Sequence, residues 1–123
     1  MSTWTRDNTE VAWEIGEEPG GEQRKAEDGG MVIALERWQR GLDTTEMFAE
    51  LPEGACQEQH WGYILKGSIT MKYADGTAET LSTGQAYYIK PGHNAVVDED
   101  VELVEFTPAN QSPEQQPGTN LLG

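Results

Sequence analysis

Basic residues are scarce in this chain. Eight Lys and Arg stand against 22 Asp and Glu, a formal net charge of −14. That balance supplies no cationic face for phosphates, which argues against nucleic-acid binding. It also disfavours an anionic membrane surface, because like charges repel. Cysteine is nearly absent. Cys56 stands alone, so an intrachain disulfide is excluded, and a lone thiol suits a reducing cytoplasm. Long apolar runs are missing as well, and none approaches the roughly 20 residues needed to span a bilayer. The opening MSTWTRDNTE has no apolar stretch of the secretory kind. The expectation is an acidic cytoplasmic protein, its charge reflecting either a high-salt host or simple solubility. Helical periodicity is the last absence: no segment repeats apolar residues at i, i+3, i+4 and i+7 over several turns.

Turns are abundant instead. Fourteen Gly and six Pro punctuate the chain. Residues 1–30 read as a polar N-terminal arm. Within it Val11, Trp13 and Ile15 alternate with Ala12 and Glu14, a short strand signal. Trp4 and Trp13 carry too much apolar area for a free tail and want cover from the body or a partner. Residues 31–107 read as the body, with strands at 31–38, 44–51, 57–65, 68–73, 78–81, 86–89, 95–97 and 101–107. Asp75-Gly76 is the strongest hairpin signal, since Gly tolerates the positive φ of a tight turn. The acidic run Asp98-Glu99-Asp100 reads as a turn between strands. Residues 108–123 are rich in Pro, Gln and Asn and read as an irregular tail, with Leu121 and Leu122 as docking candidates. Regularly spaced short strands predict an all-β sandwich or barrel.

Two phrases carry a family resemblance. GACQEQHWGYILKG, Gly54 to Gly67, resembles the first short motif of the cupins. GQAYYIKPGHNAVV, Gly84 to Val97, resembles the second. The resemblance implies a double-stranded β-helix, a jelly-roll-like barrel of two sheets, often dimeric, with a site in the barrel interior. The family's usual metal ligands are displaced here. Its Glu position falls on His60, its paired His positions on Cys56 and Gly54, and its final His on Ala95. Lys90-Pro91-Gly92 stands where Pro-x-Gly is usual. His93 lies two residues before the expected His, which in a strand keeps the same face.

Strand alternation places Cys56, Glu58, His60, Gly62 and Ile64 on one face, directed into the barrel. Trp61, Tyr63 and Leu65 then face outward and call for cover, which predicts a homodimer. Gly62 between two inward side chains predicts open volume for a ligand. Thiolate, carboxylate and imidazole all bind zinc, iron, nickel or manganese. His60 with His93, joined by Glu58 or Cys56, is the candidate ligand set; two hydrogen-bonded pocket histidines are the alternative. Glu58 and His60 are candidates for metal-free proton transfer, unless Glu58 is solvated at the mouth. Cys56 as a nucleophile needs a bend, because His60 lies roughly 13 Å away along an extended strand. Tyr87, Tyr88, Met71, Tyr73 and Trp38 are candidate pocket walls or plain core. Two functions follow. One is a binding module for a small organic molecule in the barrel interior. The other is a metal-dependent oxygenase, isomerase or lyase acting on a small metabolite. A fold alone does not choose between them.

Overall fold

The structure, a computed structural model, describes residues 10–110. Seven strands follow one another: β1 (Glu10–Ile15), β2 (Gly21–Asp28), β3 (Met31–Trp38), β4 (His60–Tyr73), β5 (Ala78–Ser82), β6 (Ala86–Ile89) and β7 (His93–Pro108). Every strand pairing is antiparallel. The order across the sheet is β1-β2-β3-β7-β4-β5, and β6 also pairs with β4. The all-β expectation holds.

β4 and β7 are long, 14 and 16 residues, and each serves two sheets. The register of β4 on β7 shifts repeatedly between Ile64 and Ile69. Gly67 sits in that stretch at φ 88°, where a Cβ would strike the Asp100 backbone. Only glycine serves such a bend. Before the bend, β4 lies between β6 and the second half of β7, in a sheet continued by β3, β2 and β1. After it, β4 lies between β5 and the first half of β7. The inner faces of both sheets meet in one core, which joins Trp38, Ile64, Tyr87, Ile89 and Leu103 of the first sheet to Ile69, Met71, Leu81, Ala95 and Val97 of the second. That is the jelly-roll barrel the two motifs implied.

Several local expectations change. The segments 57–65 and 68–73 form one strand starting at His60, and 95–97 joins 101–107 in β7. The run Asp98-Glu99-Asp100 is therefore strand at the bend, not a turn. Its carboxylates take hydrogen bonds from the Thr70 hydroxyl, the Ser68 hydroxyl and the Arg40 amide. Residues 44–51 form helical-type turns rather than a strand, with Phe48 N–H donating to the Thr44 carbonyl and Leu51 N–H to Phe48. Glu46, Met47, Phe48 and Ala49 lack the alternation a half-buried strand needs. In the arm, the Val11–Ile15 strand is present as β1, and Trp13 packs on Trp38 with ring centroids 6.2 Å apart. β2 was not foreseen in GEQRKAED; its inward Gln23 is polar because it faces the buried Glu36. The Asp75-Gly76 hairpin joins β4 to β5, with Thr77 bonded to the Asp75 carboxylate. Trp4, Leu121 and Leu122 lie outside the described residues.

Candidate metal centre

Three donors converge at one end of the core. Cys56, His60 and His93 are each fully buried, and one ligating atom from each lies within 4.8 Å of the others. His60 opens β4 and His93 opens β7. Cys56 precedes β4 in an irregular stretch and is pinned to His93 by a backbone bridge. Cys56 N–H donates to the His93 carbonyl at 2.9 Å, and His93 N–H returns to Cys56 at 3.1 Å. The bend this imposes overturns the extended spacing assumed between Cys56 and His60. Their Sγ and Nε2 atoms are 3.7 Å apart. The two imidazoles meet edge to face at 5.2 Å. Across the same turn, Thr44 and Asn94 tie the 44–55 segment to β7. The Thr44 hydroxyl donates to Asn94 Oδ1 at 2.7 Å, and Asn94 Nδ2 donates to the Gly54 carbonyl at 2.8 Å.

Both histidines have a partner at Nδ1, and for His93 that partner fixes the other nitrogen. The Lys90 carbonyl lies 2.9 Å from His93 Nδ1, so that nitrogen carries the proton and donates. His93 Nε2 is then a buried lone pair, and it has no hydrogen-bond partner among the described residues. Thr107 Oγ1 lies 2.7 Å from His60 Nδ1. With Thr107 accepting, His60 Nε2 faces Cys56 as a second lone pair. A carbonyl or hydroxyl orienting the far nitrogen is how metal-binding histidines are held.

Electrostatics keep the cluster uncharged. Burial drives His60 well below the ordinary imidazole range, helped by the neighbouring His93. Burial takes His93 down to about 4, against the opposing Lys90 carbonyl. Burial also pushes the Cys56 thiol far up, and nearby carboxyls add to the effect. Neutral imidazole is the form that binds a metal. The 3.7 Å approach of His60 Nδ1 to Glu105 is accordingly a contact rather than an ion pair.

Beneath the cluster lies a polar layer that the motifs do not mark. Glu36 and Glu105 are buried on neighbouring strands. Glu36 accepts from Trp38 Nε1 at 2.8 Å and from Gln23 Nε2 at 2.9 Å. The Tyr87 hydroxyl donates to Glu105 at 2.8 Å. Burial raises both carboxyls, and the neighbouring Glu36 lifts Glu105 further. The one signal available in the sequence is parity. Glu36 falls between inward Ala34 and Trp38, and Glu105 between inward Leu103 and Thr107.

The other expected site residues fall as follows. Alternation from 56 to 65 is as read: Cys56, Glu58, His60 and Ile64 are buried, while Trp61, Tyr63 and Leu65 are exposed. Glu58 is not solvated at a mouth, for burial raises its carboxyl and its Oε1 has no hydrogen-bond partner among the described residues. It stands outside the three-donor cluster. The open volume expected over Gly62 is filled by Tyr87, whose hydroxyl a Cβ at 62 would meet. That absence of a side chain lets Tyr87 on β6 reach across β4 to Glu105 on β7. Trp38 and Met71 are core, Tyr73 is half-buried and Tyr88 is on the surface. A cleft of about 650 Å³ lies elsewhere, walled by Trp13, Ile15, Leu42 and Met47. Relative to the cupin pattern, Cys56 and His60 stand at two of the ligand positions, and His93 replaces the position now held by Ala95.

Comparison with known proteins agrees on architecture. No family model and no curated protein sequence matches the chain. Among solved structures, it is similar to an RmlC-like cupin from Shewanella frigidimarina, with 16% identity over 88% of this chain and 91% of that one, TM-score 0.59. It is similar to the polyketide cyclase RemF from Streptomyces resistomycificus, with 21% identity over 92% and 82%, TM-score 0.61. It is also similar to FeII HppE, with 10% identity over 87% of this chain and 60% of that one, TM-score 0.62. The fold is the cupin fold.

Proposed function

We propose that this chain is a metal-binding cupin in which Cys56, His60 and His93 hold one divalent ion that engages a small organic molecule. The observation that carries the reading is His93 Nε2. A buried acceptor without a partner costs about 1–3 kcal/mol, and this one lies beside two further donors of complementary type. A thiolate with two imidazoles favours zinc, iron(II) or nickel over manganese, which prefers oxygen ligands. The similarity to HppE in its FeII form supports iron among these.

Bound there, such an ion would polarise an oxygen donor of the small molecule. The chain's own residues supply the rest. The Lys90 carbonyl and Thr107 orient the imidazoles. Glu105 and Tyr87 hold protons beneath His60, in a region closed to water by Ile64, Ile89 and Leu103. The unbridged Cys56 thiol suits a reducing compartment, the cytoplasm.

A second reading rests on the Cys56–His60 contact. A protonated thiol donating to His60 Nε2 closes that half of the site without a metal. The protein would then be a binding module whose small organic ligand donates to His93 Nε2.

Metal analysis separates the two. Protein purified without added metal, then offered zinc, iron(II) or nickel, carries one ion per chain under the first reading. His60→Ala and His93→Ala each lose it. A wild-type chain that takes up none of the three ions refutes the metal reading and leaves the binding module.

A further inference from the structure

The two sheets part along the edge where β1 ends the first of them. Residues 41–44 run beside the first half of β7. Gly41 N–H donates to the Val97 carbonyl at 2.8 Å, Thr44 N–H donates to the Ala95 carbonyl at 3.0 Å, and Asp43 is bridged to Val96. Between this segment and β1 lies the cleft of about 650 Å³, a volume within the range of small-molecule sites. Alternation along β1 sends Trp13 and Ile15 to the same side, and both line the cleft. From the other segment come Leu42, which is buried, and Met47, which is half-buried. Trp13 rests on the buried Trp38 with ring centroids 6.2 Å apart, so the indole is braced rather than free. A braced indole beside aliphatic side chains is a seat for an apolar body.

Charge decides what that body carries. Asp43 and Glu46 line the cleft, and no Lys or Arg does so among the described residues. Asp43 is a fixed anion. Thr45 donates to its Oδ1 twice, from the N–H at 2.9 Å and from the hydroxyl at 2.6 Å. These two bonds hold the carboxyl below its ordinary range; burial opposes them, and the charge of Lys72 adds the least. Both bonds engage Oδ1, which leaves Oδ2 to accept from a ligand. A small organic anion would be repelled by both carboxylates. A second copy of a chain of net charge −14 brings no complementary charge. A protonated amine finds both of its counterparts here. A carboxylate accepts a strong hydrogen bond from a cationic N–H, and tryptophan offers the best aromatic face for a cation.

We infer that this cleft binds a small protonated amine with an apolar body, Asp43 and Glu46 pairing with the nitrogen while Trp13, Leu42 and Met47 hold the body. The site shares no residue with Cys56, His60 and His93 and does not rest on the metal reading.

Equilibrium dialysis of the full chain against phenethylamine tests it. One molecule binds per chain, with or without zinc. Phenylacetate, the same ring on the opposite charge, does not bind. Asp43→Asn with Glu46→Gln weakens binding by about 10-fold or more. Both side chains are exposed, so this pair leaves the fold intact. Trp13→Leu weakens binding about 2–30-fold. Glu79→Gln, exposed on β5 away from the cleft, leaves it unchanged. A wild type that takes up no phenethylamine at millimolar concentration overturns the inference, as does equal uptake of phenylacetate. Unchanged binding by the carboxamide pair, or by Trp13→Leu with its β-sheet circular dichroism intact, overturns it too. So does uptake that requires zinc, which would place the amine at the metal centre.

Discussion

The two halves of the barrel interior use the same strands for opposite purposes. In the first sheet, β4 and β7 point His60, Glu105 and Thr107 inward, and β3 adds Glu36. In the second sheet the same two strands, past the bend, point Ile69, Met71, Ala95 and Val97 inward. His93 alone crosses the division, carried by the far end of β7 to meet His60. The contrast separates two jobs. The apolar half supplies burial, which is non-directional and stabilises in proportion to area. The polar half spends stability on hydrogen bonds and desolvated carboxyls that each need a partner. A site survives there because the other half supports it.

Breaking the apolar half gives the largest effect. Ile69→Ala destabilises by about 2–5 kcal/mol in chemical denaturation, while the folded fraction keeps its metal stoichiometry. Loss of metal from the folded fraction would show that the halves are not separable.

The polar half answers to pH instead. His93 falls to about 4 in the folded chain, against about 6.5 unfolded. The unfolded state therefore binds the extra proton. The contribution is fully present above pH 6.5 and is lost as pH falls through 6.5 towards 4, on the order of 3 kcal/mol. His93→Gln removes this share of the acid limb in metal-free protein and leaves the share of the likewise lowered His60. Raised Glu36 and Glu105 act with the opposite sign, since their folded forms keep protons that the unfolded chain releases. Stability from that pair declines as pH rises above the ordinary carboxyl range, and Glu36→Gln makes that decline smaller, leaving the part that burial of Glu105 causes. A denaturant series at several pH values reads both slopes.

Gly62→Ala sharpens the comparison within the polar half. The added methyl meets the Tyr87 hydroxyl, and overpacking of this kind costs about 1–3 kcal/mol. The same substitution in the open turn at Gly29 meets no neighbouring atom, and only its left-handed backbone objects. Thr107→Val is the most local change. It removes the acceptor for His60 Nδ1 and weakens metal affinity about 10–100-fold, and Thr107→Ser restores it. Calorimetric titration with zinc reads the difference.

Much of this was legible in the chain. The two cupin-like phrases, the Asp75-Gly76 hairpin and the 56–65 alternation all have local causes, a turn residue or a period of two. His93 kept its face because a shift of two preserves strand parity. Other features depend on partners remote in sequence. Cys56 reaches His60 only because its backbone is pinned to His93. Gly62 is filled by a tyrosine 25 residues on, so its missing side chain reads as space until Tyr87 is placed. β2 lies in the stretch read only as polar arm, and its Gln23 is the partner that buried Glu36 requires. The carboxyl pair has no motif because a buried acid is defined by what surrounds it.

The sheet order has a consequence for how the protein is made. β7 lies between β3 and β4, with Met31 paired to Pro108 at one end of the register. A chain emerging from the ribosome lacks the middle of its first sheet until residue 108 has left the tunnel. Closing so long a loop is entropically slow. During synthesis β3 and β4 must wait with bare flanks, and a copy stalled before that point is the form most exposed to aggregation.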